Sequence, residues 1–321
     1  MKTAKILLSL TSLPRIGKKT ALNLFLSLKE KSDDQNLLYE QIRVYSEEYH
    51  KFEHITEAMI AGALSSTESL VEETLSLNCQ IITIFDNKYP SRLRHIDNPP
   101  LVLFLKGNLE AISNDKVGAL IGTRKPNKFG LDSAHKVGCK MAEHSITVVS
   151  GLALGCDTAG HRGCLEKNGI GIGVLAHGLD MIYPKASKHL SESLLEAGGL
   201  LVTEYPLKNK PTKYTFVERD RLQSGLSDFV FIAETNEKGG TMHTVKFTEA
   251  QKRPLFCLDF PEHAYREGIA SGNRMLIKEQ RASPYSIDAD FSDILNSVYD
   301  RRGLANNSEK AFQGQRAFEF D

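Results

Sequence analysis

The chain has 321 residues, 41% of them hydrophobic and 25% charged, a composition ordinary for a globular protein and long enough for roughly two domains. Its 40 Lys+Arg balance 40 Asp+Glu, which excludes a uniformly basic protein that coats nucleic acid and confines any polyanion site to a local patch. The five cysteines (Cys79, Cys139, Cys156, Cys164, Cys257) form no C-x-x-C pair, so neither a zinc-finger spacing nor a disulfide framework is expected, and no bound metal.

The opening MKTAKILLSL is not read as a signal peptide, because its apolar run is short and the basic PRIGKK follows at once. No run approaches the ~18 apolar residues of a membrane span. A cytoplasmic protein with reduced thiols is expected.

Apolar residues recur at helical spacing in ILLSLTSL, TALNLFLSLKE and ITEAMIAGALSSTESLVEETLSL, so residues 1–78 read as a helical N-terminal domain. The basic link LPRIGKKT fits a degenerate helix-hairpin-helix, whose helix N-terminal amides can meet a DNA phosphate; an ordinary helix turn fits as well. It is not a phosphate-binding Walker loop, because Ser12 stands where the first Gly belongs and Lys19 where Ser or Thr belongs. Residues 79–112 read as a bridge of strand, Pro-rich connector and strand. Short apolar runs then alternate with helical segments: VGALIG, ITVVSG, GIGVLA, LLVTEY, FVFIAE and PLFCLDF are separated by stretches such as SAHKVGCKMAEHS and MHTVKFTEAQKR. Continuous apolar strands between helices mean a parallel sheet covered on both faces. The expected fold of 79–287 is therefore α/β, a doubly wound, mostly parallel sheet. Of 288–321, FSDILNSVY reads as one last helix and the polar remainder as a flexible tail.

Such sheets bind ligands beyond the carboxyl ends of their strands, and the glycine-punctuated loops fall there. IGTRKP (121–126) carries Gly122, Arg124 and Lys125; an arginine fork suits phosphate oxygens, and Gly122 permits close approach. VSGLALGCDTAGH (149–161) ends a strand at Ser150-Gly151 and opens a helix on which Asp157 and His161, four apart, share a face. That pair is read as a hydrogen bond holding the loop, not as acid–base or metal chemistry. IYPKASKHL places Lys185 after a strand, in reach of a second phosphate or simply solvated. ERDRLQSGLSD puts Arg219 and Arg221 on one side of an extended chain with Asp220 between them; pairing to the sheet rim is the other reading. NEKGGTMHT (236–244) offers Gly239, Gly240 and Thr241 as an anion nest with Lys238 alongside. The dinucleotide fingerprint fails, since Val174 stands where the third Gly of GIGIGV (169–174) belongs, and no cofactor is expected.

In chain order, IGTR (121–124), VSGLALGCDTAGH (149–161), YP (183–184), TEYP (203–206), RDRLQSGLS (219–227), GGTMHT (239–244) and ASGNRMLI (270–277) resemble the DprA/Smf family of DNA-processing proteins. The bridge strings DNKYP and NPPLVLFLKGNL and the helix hairpin resemble it too, so the likeness covers about residues 5–285. It implies a Rossmann-like domain that binds single-stranded DNA, forms a homodimer, helps to load a RecA-type recombinase and is not an enzyme. Arg124, Ser150, Gly151, Arg219, Arg221 and Gly240 fall on the family's pocket motifs, with Lys185 a weaker match. The chain departs from the pattern at Asp220, in place of Asn, at Lys238-Gly239-Gly240-Thr241, at Gly160 and at Asp259-Phe260. These departures leave open a regulatory or antitoxin-like role beside a toxin or effector in a phage-defence module. The GGT loop also resembles LOG-type nucleotide hydrolases, but Thr244 occupies the position of their catalytic Glu, so binding of a free nucleotide stays open while cleavage is not expected. Phe129 and Tyr183 are the aromatic residues near the loops that suit base stacking.

Overall fold

The computed structural model describes residues 1–299. Four helices come first: α1 (Lys2–Ser12), α2 (Lys18–Ser27), α3 (Gln35–Tyr49) and α4 (Glu57–Ser76). Asp34 and Thr56 cap α3 and α4 by accepting the N–H groups of Leu37 and Met59, which satisfies amides that have no partner inside the helix. None of the apolar stretches marks α3, which buries only Leu38, Ile42 and Ser46.

The bridge consists of β1 (Cys79–Thr83), the short α5 (Ser91–Arg94) and β2 (Val102–Gly107). The alternating part then runs β3 (Val117–Ile121), α6 (Lys128–Glu143), β4 (Thr147–Ser150), α7 (Cys156–Glu166), β5 (Gly171–Val174), α8 (Lys188–Glu196) and β6 (Leu200–Thr203). It continues with α9 (Lys213–Gly225), β7 (Phe229–Ile232), α10 (Thr241–Ala250), β8 (Leu255–Leu258), α11 (Glu262–Arg266), α12 (Ser271–Lys278) and β9 (Ser283–Tyr285).

The strands form one sheet in the order β1-β2-β6-β5-β4-β3-β7-β8-β9. β1 pairs antiparallel with β2, and β2 antiparallel with β6; every other pairing is parallel. All residues of β3 to β8 are buried, which is why they read as unbroken apolar runs. This is the doubly wound, Rossmann-like α/β architecture. Successive strands step one way from β3 to β6 and the other way from β7 to β9, so the order reverses between β3 and β7.

The N-terminal helices share a core with the sheet. Ile6, Leu10 and Leu24 belong to one apolar cluster with Phe104, Leu194 and Leu201. The chain is helical over 292–299, as FSDILNSVY predicts; the tail expected beyond lies outside the described residues. Among the described residues no helix is long and apolar enough to cross a membrane.

One expected element is wrong. ERDRLQSG is not extended but lies in α9, whose start is fixed by reciprocal hydrogen bonds between Thr212 and Thr215. Arg219 and Arg221 are therefore about 200° apart around a helix and face different surroundings.

Candidate nucleic-acid interface

Beyond the carboxyl ends of β3, β4 and β7 lies an open cleft of about 660 Å³. Its wall is Gly122–Lys125 after β3, Ala153 and Asp157 after β4, and Asn236 with Gly239–Thr241 after β7; α9 adds Lys213, Phe216, Arg219, Asp220 and Gln223. The cleft sits at the point where the strand order reverses.

The junction between β7 and α10 is open. Gly240 caps α10 without a side-chain hydrogen bond, and the N–H groups of Gly240 and Thr241 have no backbone acceptor among the described residues. Free amides at the positive end of a helix dipole favour an anion. Gly240 has φ −57°, and a Cβ there would meet nothing within 4 Å. Neither strain nor packing requires glycine, and the space above its backbone opens to the cleft. Across from it, exposed Arg124 places its guanidinium 4.9 Å from the Phe216 ring centre, and Arg219 lies 5.9 Å from the same ring. Tyr183, 47% exposed, lies against Phe216 with ring centres 5.8 Å apart. Phe129 is half-buried, packs edge-on against Phe260 at 5.0 Å and does not line the cleft.

The junction between β4 and α7 is closed, which corrects the assignment of Ser150 and Gly151 to phosphate. Ser150 is fully buried and its Oγ donates to the Leu120 carbonyl at 2.6 Å. The carboxylate of Asp157 accepts the N–H groups of Gly151 at 3.0 Å and Ala153 at 3.3 Å. The Gly151 carbonyl accepts from Arg219 Nη1 at 2.9 Å, and the same nitrogen donates to the Val174 carbonyl at 2.6 Å. A Cβ on Gly151 would lie 2.0 Å from that nitrogen. Burial pushes the Asp157 carboxyl up, against the opposing pull of Arg219 and the two amides. Asp157 thus holds the loop, whereas the fully buried His161 makes no hydrogen bond to it. Their expected mutual bond is absent. Burial lowers His161 to about 4, so it is a neutral core side chain.

Asp220 stands inside the cleft with Oδ1 3.3 Å from Arg219 Nε. Burial pushes its pKa up to about 6, with Arg219 pulling down, Asp157 pushing up and Arg124 pulling down. With its amide turned to suit both neighbours, Gln223 donates to Asp220 at 3.1 Å and accepts from the Gly151 N–H at 2.9 Å.

Arg221 does not face the cleft. It is 3% exposed, holds Glu204 through two contacts of 2.7 Å, and donates from Nε to the Asn98 carbonyl at 3.1 Å. Glu204 also accepts from Lys18 of the helix hairpin at 2.5 Å. Burial opposes ionisation of Glu204, but Arg221 and Lys18 outweigh it and hold the carboxyl below its ordinary range. Lys185 and Lys238 are exposed and lie outside the cleft wall.

The cleft therefore gathers Gly122, Arg124, Lys125, Arg219, Gly239, Gly240 and Thr241 from the expected set. Sequence reasoning missed Lys213, Phe216, Asn236 and His243 on its wall, and two buried residues that fix its loops. Glu234 accepts the Asn127 N–H through Oε2 at 3.0 Å and the Thr123 N–H through its carbonyl at 2.7 Å. Asn273 accepts the Thr235 N–H at 2.7 Å and donates to the carbonyls of Ala233 at 3.1 Å and Leu258 at 2.9 Å. The one signal for Asn273 was its place in ASGNRMLI.

A family model for DNA recombination-mediator protein A matches residues 80–298. The chain belongs to that family. Protein Smf of Synechocystis sp. is 37% identical over 220 residues, 66% of this chain and 55% of that protein. DNA processing protein DprA of Streptococcus pneumoniae is 35% identical over 197 residues, 61% of this chain and 68% of that protein. Protein Smf of Escherichia coli is 35% identical over 185 residues and is matched over 49% of its own length. The chain thus spans about half to two thirds of these DprA and Smf relatives. Among solved structures, DprA from S. pneumoniae superposes with a TM-score of 0.63 at 27% identity, covering 83% of this chain and 93% of that one. DNA processing protein A from Helicobacter pylori, described for its single-stranded DNA binding mode, superposes with a TM-score of 0.60 at 26% identity, covering 69% of this chain and 97% of that one.

Proposed function

We propose that this protein acts in DNA processing in the cytoplasm by binding single-stranded DNA in the cleft beyond β3 and β7, without catalysing a reaction on it. The observation that carries this reading is the meeting of two kinds of phosphate ligand in one groove: the N–H groups of Gly240 and Thr241, unpaired among the described residues, and the exposed guanidinium of Arg124. The Arg124–Phe216–Tyr183 cluster adds a surface on which a base can stack. The DNA binding of the H. pylori relative supports the same choice of ligand. Family membership further supports a homodimer that delivers the bound strand to a RecA-type recombinase. Asp220, a carboxylate among the phosphate ligands, favours a second reading, in which the cleft is tuned for regulation beside a partner protein rather than for tight storage of DNA.

A gel shift with a single strand of about sixty bases, at two salt concentrations and beside a duplex of the same length, tests this. Single strands should bind more tightly than duplex, affinity should fall steeply with salt, and Arg124→Ala should weaken binding and lower the salt slope by about 1. Equal affinity for wild type and Arg124→Ala would refute the assignment.

A further inference from the structure

Away from the cleft, three donors of different softness meet where α7 ends. His135 and Cys139 are one turn apart on α6, and Glu166 is the last residue of α7. His135 Nε2 lies 3.1 Å from Glu166 Oε2, and His135 Nδ1 lies 3.8 Å from Cys139 Sγ. Taking one donor atom from each residue, the three lie within 4.8 Å of one another. Around a tetrahedral ion with bonds of about 2.0–2.3 Å, donors sit about 3.3–3.6 Å apart. Closing on one ion therefore uses one of the two His135 ring nitrogens and a side-chain rotation that draws in the donor now up to 4.8 Å away.

The backbones that carry these donors are held in direct contact. A Cβ on Gly163 would lie 2.0 Å from the His135 carbonyl oxygen, and one on Gly138 would lie 2.1 Å from that of Gly160. With backbone against backbone at these two glycines, the spacing of the three Cα positions is set before any ligand arrives, which lowers the cost of ordering them. The His135 and Glu166 side chains are 37% and 57% exposed, so an ion can enter from solvent, while Cys139 is half-buried. Lys167, the residue that follows α7, is paired with Glu143 at 2.9 Å.

We propose that His135, Cys139 and Glu166 bind one divalent transition ion of the zinc class, with a water as fourth ligand. Thiolate and imidazole donors select zinc or cobalt over magnesium and calcium. Cys139 ligates as the thiolate and releases its proton to solvent on binding. The ion staples α6 to the end of α7 that is remote from the cleft, since Asp157 and Glu166 are nine residues apart, about 14 Å along the helix. Its role is thus structural, and the site does not depend on what the cleft binds. The spacing of cysteines gave no hint of it, because two of the three ligands are not cysteines and one comes from a second helix.

Titration of the full, reduced chain with cobalt(II) tests the proposal through the thiolate-to-cobalt charge-transfer band. One equivalent should bind with tetrahedral d–d bands and be displaced by zinc. The band should vanish in Cys139→Ser, and affinity should fall at least about tenfold in His135→Gln and Glu166→Gln. Zinc should raise the melting temperature of the wild type and not that of Cys139→Ser. No charge-transfer band, or a band unchanged in Cys139→Ser, overturns the proposal, the buried Cys79, Cys156, Cys164 and Cys257 then being its source. Circular dichroism of the metal-free variants checks the fold; should Cys139→Ser not fold, unchanged cobalt affinity in His135→Gln overturns the proposal by itself.

Discussion

The junctions after β4 and β7 look alike as sequence: an apolar strand, a small-residue turn and a helix. In the folded chain they are opposites. After β4 the turn is closed on itself, because Asp157 takes the amides of Gly151 and Ala153 and Arg219 takes the Gly151 carbonyl. After β7 no side chain among the described residues turns back to cap α10, and Gly240 and Thr241 line the cleft. A glycine-rich turn thus offers a phosphate site only if no nearby carboxylate has already claimed its N–H groups. The closed turn serves the open one, since it holds Arg219 beside the groove.

The contrast is broken most severely at Gly151. In Gly151→Ala the new methyl meets Arg219 Nη1 and displaces a guanidinium from two buried carbonyls. Chemical denaturation should show a loss of about 3 kcal/mol or more. Asp157→Ala removes the acceptor of the Ala153 N–H and one of the two acceptors of the Gly151 N–H, and should cost about 1–3 kcal/mol in the same assay. Gly240→Val should do the reverse: stability should change by less than about 1 kcal/mol, while affinity for single-stranded DNA falls about tenfold or more, because the side chain fills open cleft rather than core. A stability loss as large as that of Gly151→Ala would show that the second junction is closed too.

The smallest effect is a pH dependence. Asp220 titrates near 6 because burial disfavours its charge. Its pKa is raised on folding, so its contribution to stability is full at low pH and is lost as pH rises through about 6. In the cleft the same proton removes a negative charge beside Arg219 and Arg124. DNA should therefore bind a few-fold more tightly at pH 5 than at pH 8, and Asp220→Asn should flatten that profile. A profile of unchanged slope in Asp220→Asn would assign the effect to another group.

Much of this was legible in the sequence, for physical reasons that also explain the failures. Strands β3 to β8 announced themselves because burial on both faces demands unbroken apolar runs. β9 did not, since Ser283–Tyr285 is three residues long and contains a proline. α9 was missed because its buried stripe includes Thr215, Arg219 and Gln223 beside Leu222, so polarity masked the helical period. The cleft loops were found from their glycines and arginines, but which of them stay free was not. That depends on partners far along the chain: Arg219 meets Gly151 across 68 residues, and Arg221 finds Glu204 rather than a phosphate. Glu234 was invisible for the same reason, as a single polar residue whose role exists only after folding, and Asn273 showed only as part of ASGNRMLI.

The link from Lys18 through Glu204 to Arg221 bears on the order of events during synthesis. Lys18 and Glu204 are 186 residues apart, and the apolar cluster that takes up α1 and α2 is completed by residues of β2 and β6. At a translation rate of about 5–20 residues per second, the first helices leave the ribosome roughly 10–40 seconds before that surface exists. During that interval Ile6, Leu10 and Leu24 can pack against Leu38, Ile42 and Ile60 of the neighbouring helices but not yet against Leu201 of β6.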